Sequence, residues 1–152
     1  MVMFMNNTKI RIMGEMEAIR YSKTVNKTTA IISIVSKIEK PVNFHNNENI
    51  CDVFRLFIND LYCDLKDETI VEGAGLAPIQ SDFNGLKEFV DKHKDVEIVI
   101  HCAAGVSRSA GVGLAVAQYL EHYDIQDYIL NSGNFDANLH CYKLALNELT
   151  KK

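Results

Sequence analysis

Residues 96–116 read VEIVIHCAAGVSRSAGVGLAV. No other stretch restricts the fold as much. Val96 to Cys102 is short, apolar and β-branched, the composition of a strand covered on both faces. From Ser107 onward the pattern predicts a helix, despite Gly111 and Gly113, and its early part is apolar on nearly every side, so that part is expected to be buried. The few residues between must turn the chain tightly, and Gly105 can take backbone angles that the others avoid. A buried strand running straight into a buried helix belongs to a layered α/β domain.

The remaining segments agree. KIRIM (9–13) alternates like a short strand. GEMEAIRYS then places acidic residues early, as a first helical turn prefers. AIISIVS (30–36) reads as a second buried strand, and EKPVNFHNNENI as a loop. VFRLFINDLYC reads as a further strand whose alternation falters at Asn59 and Asp60. KDETIVEGAGLAPIQS is expected to be an irregular connection. SDFNGLKEFVDKHK puts Phe83, Leu86, Phe89 and Val90 on one helical face, with Ser81 or Asp82 as the N-cap. After the break at NSGN, FDANLHCYKLALNEL reads as a terminal helix with a stripe of Leu139, Tyr142, Leu146 and Leu149. The expected architecture is therefore α/β: a three-layer domain with a mainly parallel central sheet flanked by helices. A chain of 152 residues suits one domain, 1–152. Ligand sites in such sheets form beyond the carboxyl ends of the strands. Cys102 stands at one.

Bulk properties narrow the function. A net charge of −4 gives no support to nucleic-acid binding. No apolar run reaches the length of a membrane span. The start MVMFMNNTK is too short in apolar residues for a secretory signal, which makes the cytoplasm the expected compartment. The cysteines, Cys51, Cys63, Cys102 and Cys141, show no CxxC spacing, so neither a structural zinc site nor any other metal is expected. Cys51 and Cys141 read as small buried apolar residues.

Cys102 differs because of the residues after it. The turn from Ala103 to Ser107 and the helix N-terminus present successive backbone N–H groups, which together form an anion-binding nest. A thiol in that cradle has its pKa lowered. Arg108 adds a planar fork suited to two phosphoryl oxygens. The second His-Cys pair, His140–Cys141, has neither the glycine nor the arginine and reads as helix packing.

HCAAGVSRS matches at every fixed position the signature His-Cys-x-x-Gly-x-x-Arg followed by Ser or Thr, and so resembles the cysteine-based protein tyrosine phosphatase superfamily. The short chain is most similar to its compact, dual-specificity-like branch, with the strongest resemblance from Glu97 to Leu120. The resemblance implies that Cys102 attacks phosphorus and forms a phosphocysteine. It implies that Ala103, Ala104, Gly105, Val106, Ser107 and Arg108 hold the phosphoryl oxygens, that Ser109 helps the thiolate leave, and that His101 orients the loop. The family's general acid is an aspartate on an upstream loop; Asp64 is the preferred candidate in LYCDLKDE, and Asp67 the alternative. No cofactor is implied. The partner would be a phosphorylated protein or peptide carrying phosphotyrosine, with phosphoserine and phosphothreonine accessible to a shallow pocket. The loop carries no lysine, which disfavours phosphoinositides. The rival expectation is a module on the same fold that binds phosphate or phosphoproteins with little turnover.

Overall fold

The structure is a computed structural model that describes residues 10–61, 70–71 and 75–152. Strand β1 (Ile10–Gly14) runs directly into helix α1 (Glu15–Thr24). Strands β2 (Thr29–Val35) and β3 (Ile50–Phe57) follow. Two two-residue strands, β4 (Ile70–Val71) and β5 (Gly75–Leu76), pair antiparallel. A 3₁₀ turn at Gln80–Phe83 precedes α2 (Leu86–His93). Then come β6 (Glu97–Cys102), α3 (Arg108–Tyr119), α4 (Tyr123–Asn131) and α5 (Leu139–Leu149).

The main sheet has the order β1-β6-β2-β3, and every pair in it is parallel. Its two inner strands, β6 and β2, are buried along their whole length. Alternation along the strands divides the core in two. Ile98 and Ile100 join Ile32, Leu86 and Val112 in the larger cluster, beneath α2, α3 and α5. Val99 joins Met13, Ile31 and Ala18 in the smaller cluster, beneath α1. Helices therefore cover both faces of a parallel sheet, the three-layer arrangement expected from the sequence. Among the described residues, no helix is long and apolar enough to cross a membrane.

Several local expectations are corrected. The strand expected over 53–63 begins at Ile50 and ends at Phe57, because Asn59 leaves the ladder to bond the Leu76 carbonyl and the Lys37 N–H. The single helix expected from Ser81 is broken. Ile79 and Asp82 cap a 3₁₀ turn, and Gly85, at φ +95°, starts α2. Phe83, Leu86, Phe89 and Val90 are buried all the same. Helix α4 is an addition to the expected elements, and its Ile125 and Ile129 join the core. In α5 Leu149 of the expected stripe is buried and Tyr142 and Leu146 pack against the core, but Cys141 and Ala145 are the other buried apolar residues of its inward face and Leu139 is 56 % exposed. Cys51 is also exposed, since β3 is an edge strand, whereas Cys141 is buried as expected.

The two glycines inside α3 have a packing reason. A Cβ on Gly111 would lie 2.3 Å from the Asn138 carbonyl oxygen, and one on Gly113 would lie 2.3 Å from Cδ1 of Ile12. Their lack of a side chain lets the start of α5 and strand β1 approach the helix that comes after the cysteine loop.

Candidate active site

Strand β6 ends with His101 and Cys102 facing opposite sides of the sheet. His101 turns toward α1's side. Its Nε2 accepts from the Ser33 hydroxyl at 2.6 Å, its Nδ1 lies 3.3 Å from the Cys102 carbonyl, and the Phe44 ring meets it edge-on. A carbonyl can only accept, so Nδ1 carries the proton, and burial, which disfavours the charged ring, leaves Nε2 free to accept from Ser33. Burial holds its pKa below the usual imidazole range, and Arg55 and Arg108 push the same way, against the Cys102 carbonyl contact. His101 is thus a buried strut between β2 and the root of the loop.

The loop from Ala103 to Ser107 folds back over the end of β1. Gly105 has φ +75°, and a Cβ there would lie 2.4 Å from the Gly14 nitrogen, so the position admits only glycine. The Ala103 carbonyl accepts the Glu15 N–H at 3.1 Å, which ties the loop to the β1–α1 junction. On the other side, the Val106 carbonyl accepts from Asp136 and the Ser107 carbonyl from Asn138, each at 3.0 Å. The loop is fixed at both flanks before any ligand binds.

Inside this frame, Cys102 is 2 % exposed. The Ser109 Oγ lies 3.1 Å from its sulfur. Burial by itself raises the thiol. The Ser109 hydroxyl, the N–H groups of Ser109 and Gly105, and the charge of Arg108 outweigh it, and the Cys102 pKa falls below the ordinary cysteine range. Cys141 provides the contrast. It is equally buried but has no such hydrogen-bond donors among the described residues, and burial pushes its thiol well up. His140, its neighbour, bonds the Pro78 carbonyl at 2.8 Å.

Arg108, the first residue of α3, is 6 % exposed. Its Nη1 donates to the Ser36 hydroxyl at 3.1 Å and to the Ile58 carbonyl at 3.0 Å, which anchors the guanidinium against the ends of β2 and β3. Its Nε is buried and has no hydrogen-bond partner among the described residues. A buried donor without a partner costs roughly 1–3 kcal/mol, more when charged. An oxyanion in the loop would remove that cost.

The structure brings His101, Cys102, Ala103, Ala104, Gly105, Val106, Ser107, Arg108 and Ser109 together as one loop. Asp64 and Asp67 lie outside the described residues. A carboxylate that shows in the sequence only as an interruption of a strand does reach the loop. The Ser107 hydroxyl donates to Asp60 Oδ1 at 2.8 Å, and Asn138 Nδ2 donates to the same oxygen at 3.0 Å. The signal for it is the faltering alternation after Phe57, which marks where the strand ends and a loop residue can turn toward the site. Ser33 and Ser36, single polar residues in an apolar run, carry a similar signal. No group of His, Cys, Asp and Glu that could hold a metal occurs among the described residues. A cleft of about 620 Å³ beside β1, lined by Ile12, Ile125, Tyr128 and Phe135 among others, includes none of the loop residues.

Solved structures share this fold. The chain superposes on human DUSP28 with a TM-score of 0.60, at 10 % identity over 93 % of this chain and 91 % of that one. It superposes on a human tyrosine phosphatase-like serine/threonine/tyrosine-interacting protein with a TM-score of 0.57, at 21 % identity over 90 % and 88 %. The fold is that of the dual-specificity phosphatases. Tk-PTP in its active form is a further relative by shape, at TM-score 0.51 and 17 % identity over 94 % and 92 %. No protein-family model matches the chain, and no match was found among curated proteins. At these identities the likeness to phosphatases is one of fold, and the chemistry rests on the loop itself.

Proposed function

We propose that the protein is a cysteine-dependent phosphomonoester hydrolase acting on phosphotyrosine in proteins, with phosphoserine and phosphothreonine as further substrates. The observation that carries the reading is the Cys102 sulfur, held below its ordinary pKa by Ser109 and Gly105 beside an Arg108 Nε that has no partner among the described residues. A nucleophile and an oxyanion cradle thus share one loop.

In this mechanism the Cys102 thiolate attacks phosphorus while the Arg108 fork and the loop N–H groups hold the equatorial oxygens. The S–P bond forms as the ester P–O bond breaks, and the leaving oxygen takes a proton. We assign that proton to Asp60, which enters this step as the carboxylic acid with the proton on Oδ2 while Oδ1 accepts from Ser107 of the loop. Water then attacks the phosphocysteine, giving up a proton to the Asp60 carboxylate. The sulfur leaves as thiolate, stabilised by the Ser109 hydroxyl. Phosphate is released and the enzyme is restored. His101 takes no proton in either step. Buried and neutral, it holds the Cys102 carbonyl and so the loop. Small residues at Ala103 and Ala104 and a half-exposed Val106 suit an uncharged aromatic ring better than a polyanionic inositol.

The test is Cys102→Ser. Hydrolysis of phosphotyrosine should fall on the order of 10³-fold or more, while vanadate or orthophosphate still binds the folded variant. Turnover near the wild-type rate would end the reading. Wild-type protein that binds vanadate but turns over no aryl phosphate would instead favour the binding module.

A further inference from the structure

Asn138 is completely buried, and the catalytic steps make no use of it. It stands at the N-cap of α5, where its Oδ1 accepts the Cys141 N–H at 3.0 Å. Its Nδ2 donates to Asp60 Oδ1 at 3.0 Å and to the Leu61 carbonyl at 3.1 Å. Only one orientation of the amide satisfies all three, because the carboxylate and the carbonyl can only accept and the N–H can only donate. The Asn138 backbone N–H donates to the Ser107 carbonyl at 3.0 Å, and the Ser107 hydroxyl donates to Asp60. One side chain thereby closes a ring of hydrogen bonds through the anion loop, the segment after β3 and the last helix.

A cap alone does not require this residue. Ser, Thr or Asp would accept the Cys141 N–H about as well. What only asparagine adds here is the NH₂ group directed at Asp60 and Leu61. Both described bonds fall on Oδ1 of Asp60, which leaves Oδ2 to carry the transferred proton. We propose that Asn138 is the positioning residue of the general acid, holding the Asp60 carboxyl in register with the anion loop. The proposal rests on the assignment of Asp60 as that acid.

The test compares Asn138→Ser and Asn138→Asp, which both retain a helix-capping oxygen, with Asp60→Asn and the Asn138→Ser/Asp60→Asn double variant. Each is assayed on phenyl phosphate, a poor leaving group, and on an activated aryl phosphate that departs without a proton. Asn138→Ser should slow phenyl phosphate by about 10-fold, a share of the roughly 10²-fold that a misplaced group can cost, and the activated ester several times less. Asn138→Asp sets a second carboxylate against Asp60, should show the same selectivity, and serves as the assay if the serine variant does not fold. In the Asp60→Asn background, Asn138→Ser should change nothing further, because the group it positions is gone. Equal losses on both esters, or losses that multiply in the double variant, would reduce Asn138 to a structural cap. If Asp60→Asn itself slows both esters alike, the acid assignment fails, and this proposal falls with it. If Asp60→Asn is selective and neither Asn138 variant is, only the positioning role fails.

Discussion

At residue scale, the chemistry turns on one contact. Ser109 Oγ, 3.1 Å from the Cys102 sulfur, is among the donors that overcome the cost of a buried thiolate. Donors to the charged form lower a thiol's pKa, so removing one must raise it. Ser109→Ala should therefore move the acid limb of Cys102 alkylation by iodoacetamide to higher pH and slow inactivation at mildly acidic pH. The Ser109 N–H remains as a partner, so the thiol stays below its free value. An unshifted profile would mean that the hydroxyl does not act on the sulfur. Cys102 and Arg108 were legible because their spacing is a local property of nine consecutive residues. Asp60 was not, because its relation to the loop runs through Ser107 and Asn138, which stand 47 and 78 residues away in the chain. Pattern along a strand says where alternation ends. It does not say what the next side chain meets.

At element scale, α3 carries the loop's last residues and must be approached closely. Gly111 and Gly113 look alike in the sequence, two small residues in an apolar helix, but their surroundings separate them. Beside Gly111 the obstacle is the backbone oxygen of Asn138, which cannot rotate away, whereas beside Gly113 it is the end of the Ile12 side chain. Gly→Ala gains up to about 1 kcal/mol of helix propensity, and overpacking costs roughly 1–3 kcal/mol. Gly113→Ala should come out near neutral in denaturant unfolding. Gly111→Ala should destabilise by about 1–2 kcal/mol net and, by pushing Asn138, lower turnover of poor leaving groups. Equal effects at the two positions would contradict this packing. The element assignments were legible wherever periodicity was long and unbroken, as in β2, β6 and α3. Helix α4, which the pattern did not reveal, is short, and only Ile125 and Ile129 of its apolar residues are buried, while Tyr123, Tyr128 and Leu130 are exposed. The split before α2 depends on the positive φ of Gly85, which no hydrophobic pattern encodes.

At the scale of the whole molecule, His101 links the site to the stability of the fold. It is fully buried and neutral, and its pKa lies below the free value. The unfolded chain takes up that proton at about pH 6.5, and the folded chain only at lower pH. The stabilisation from the neutral ring is therefore complete above the unfolded value and is lost as pH falls through it toward the folded one. Urea unfolding of the wild type should show stability declining from about pH 6.5 downward, and His101→Asn, less stable at neutral pH, should show a flatter profile over that range. Parallel profiles would assign the decline to other groups.

The order β1-β6-β2-β3 also has a kinetic side. The strand that carries the cysteine enters between two strands made far earlier, pairing Ile10 with Ile98 and Thr29 with Glu97. Until that insertion, β1 and β2 have no contact through the sheet, and the nucleophile has no floor to its pocket. Loop closure over such distances is slow relative to local pairing. During synthesis, β2 and β3 can associate while the ribosome is still making the connection to β6. The thiol then acquires its lowered pKa only once β6 has inserted. A partly made copy keeps an ordinary thiol, so alkylation at mildly acidic pH reports that insertion.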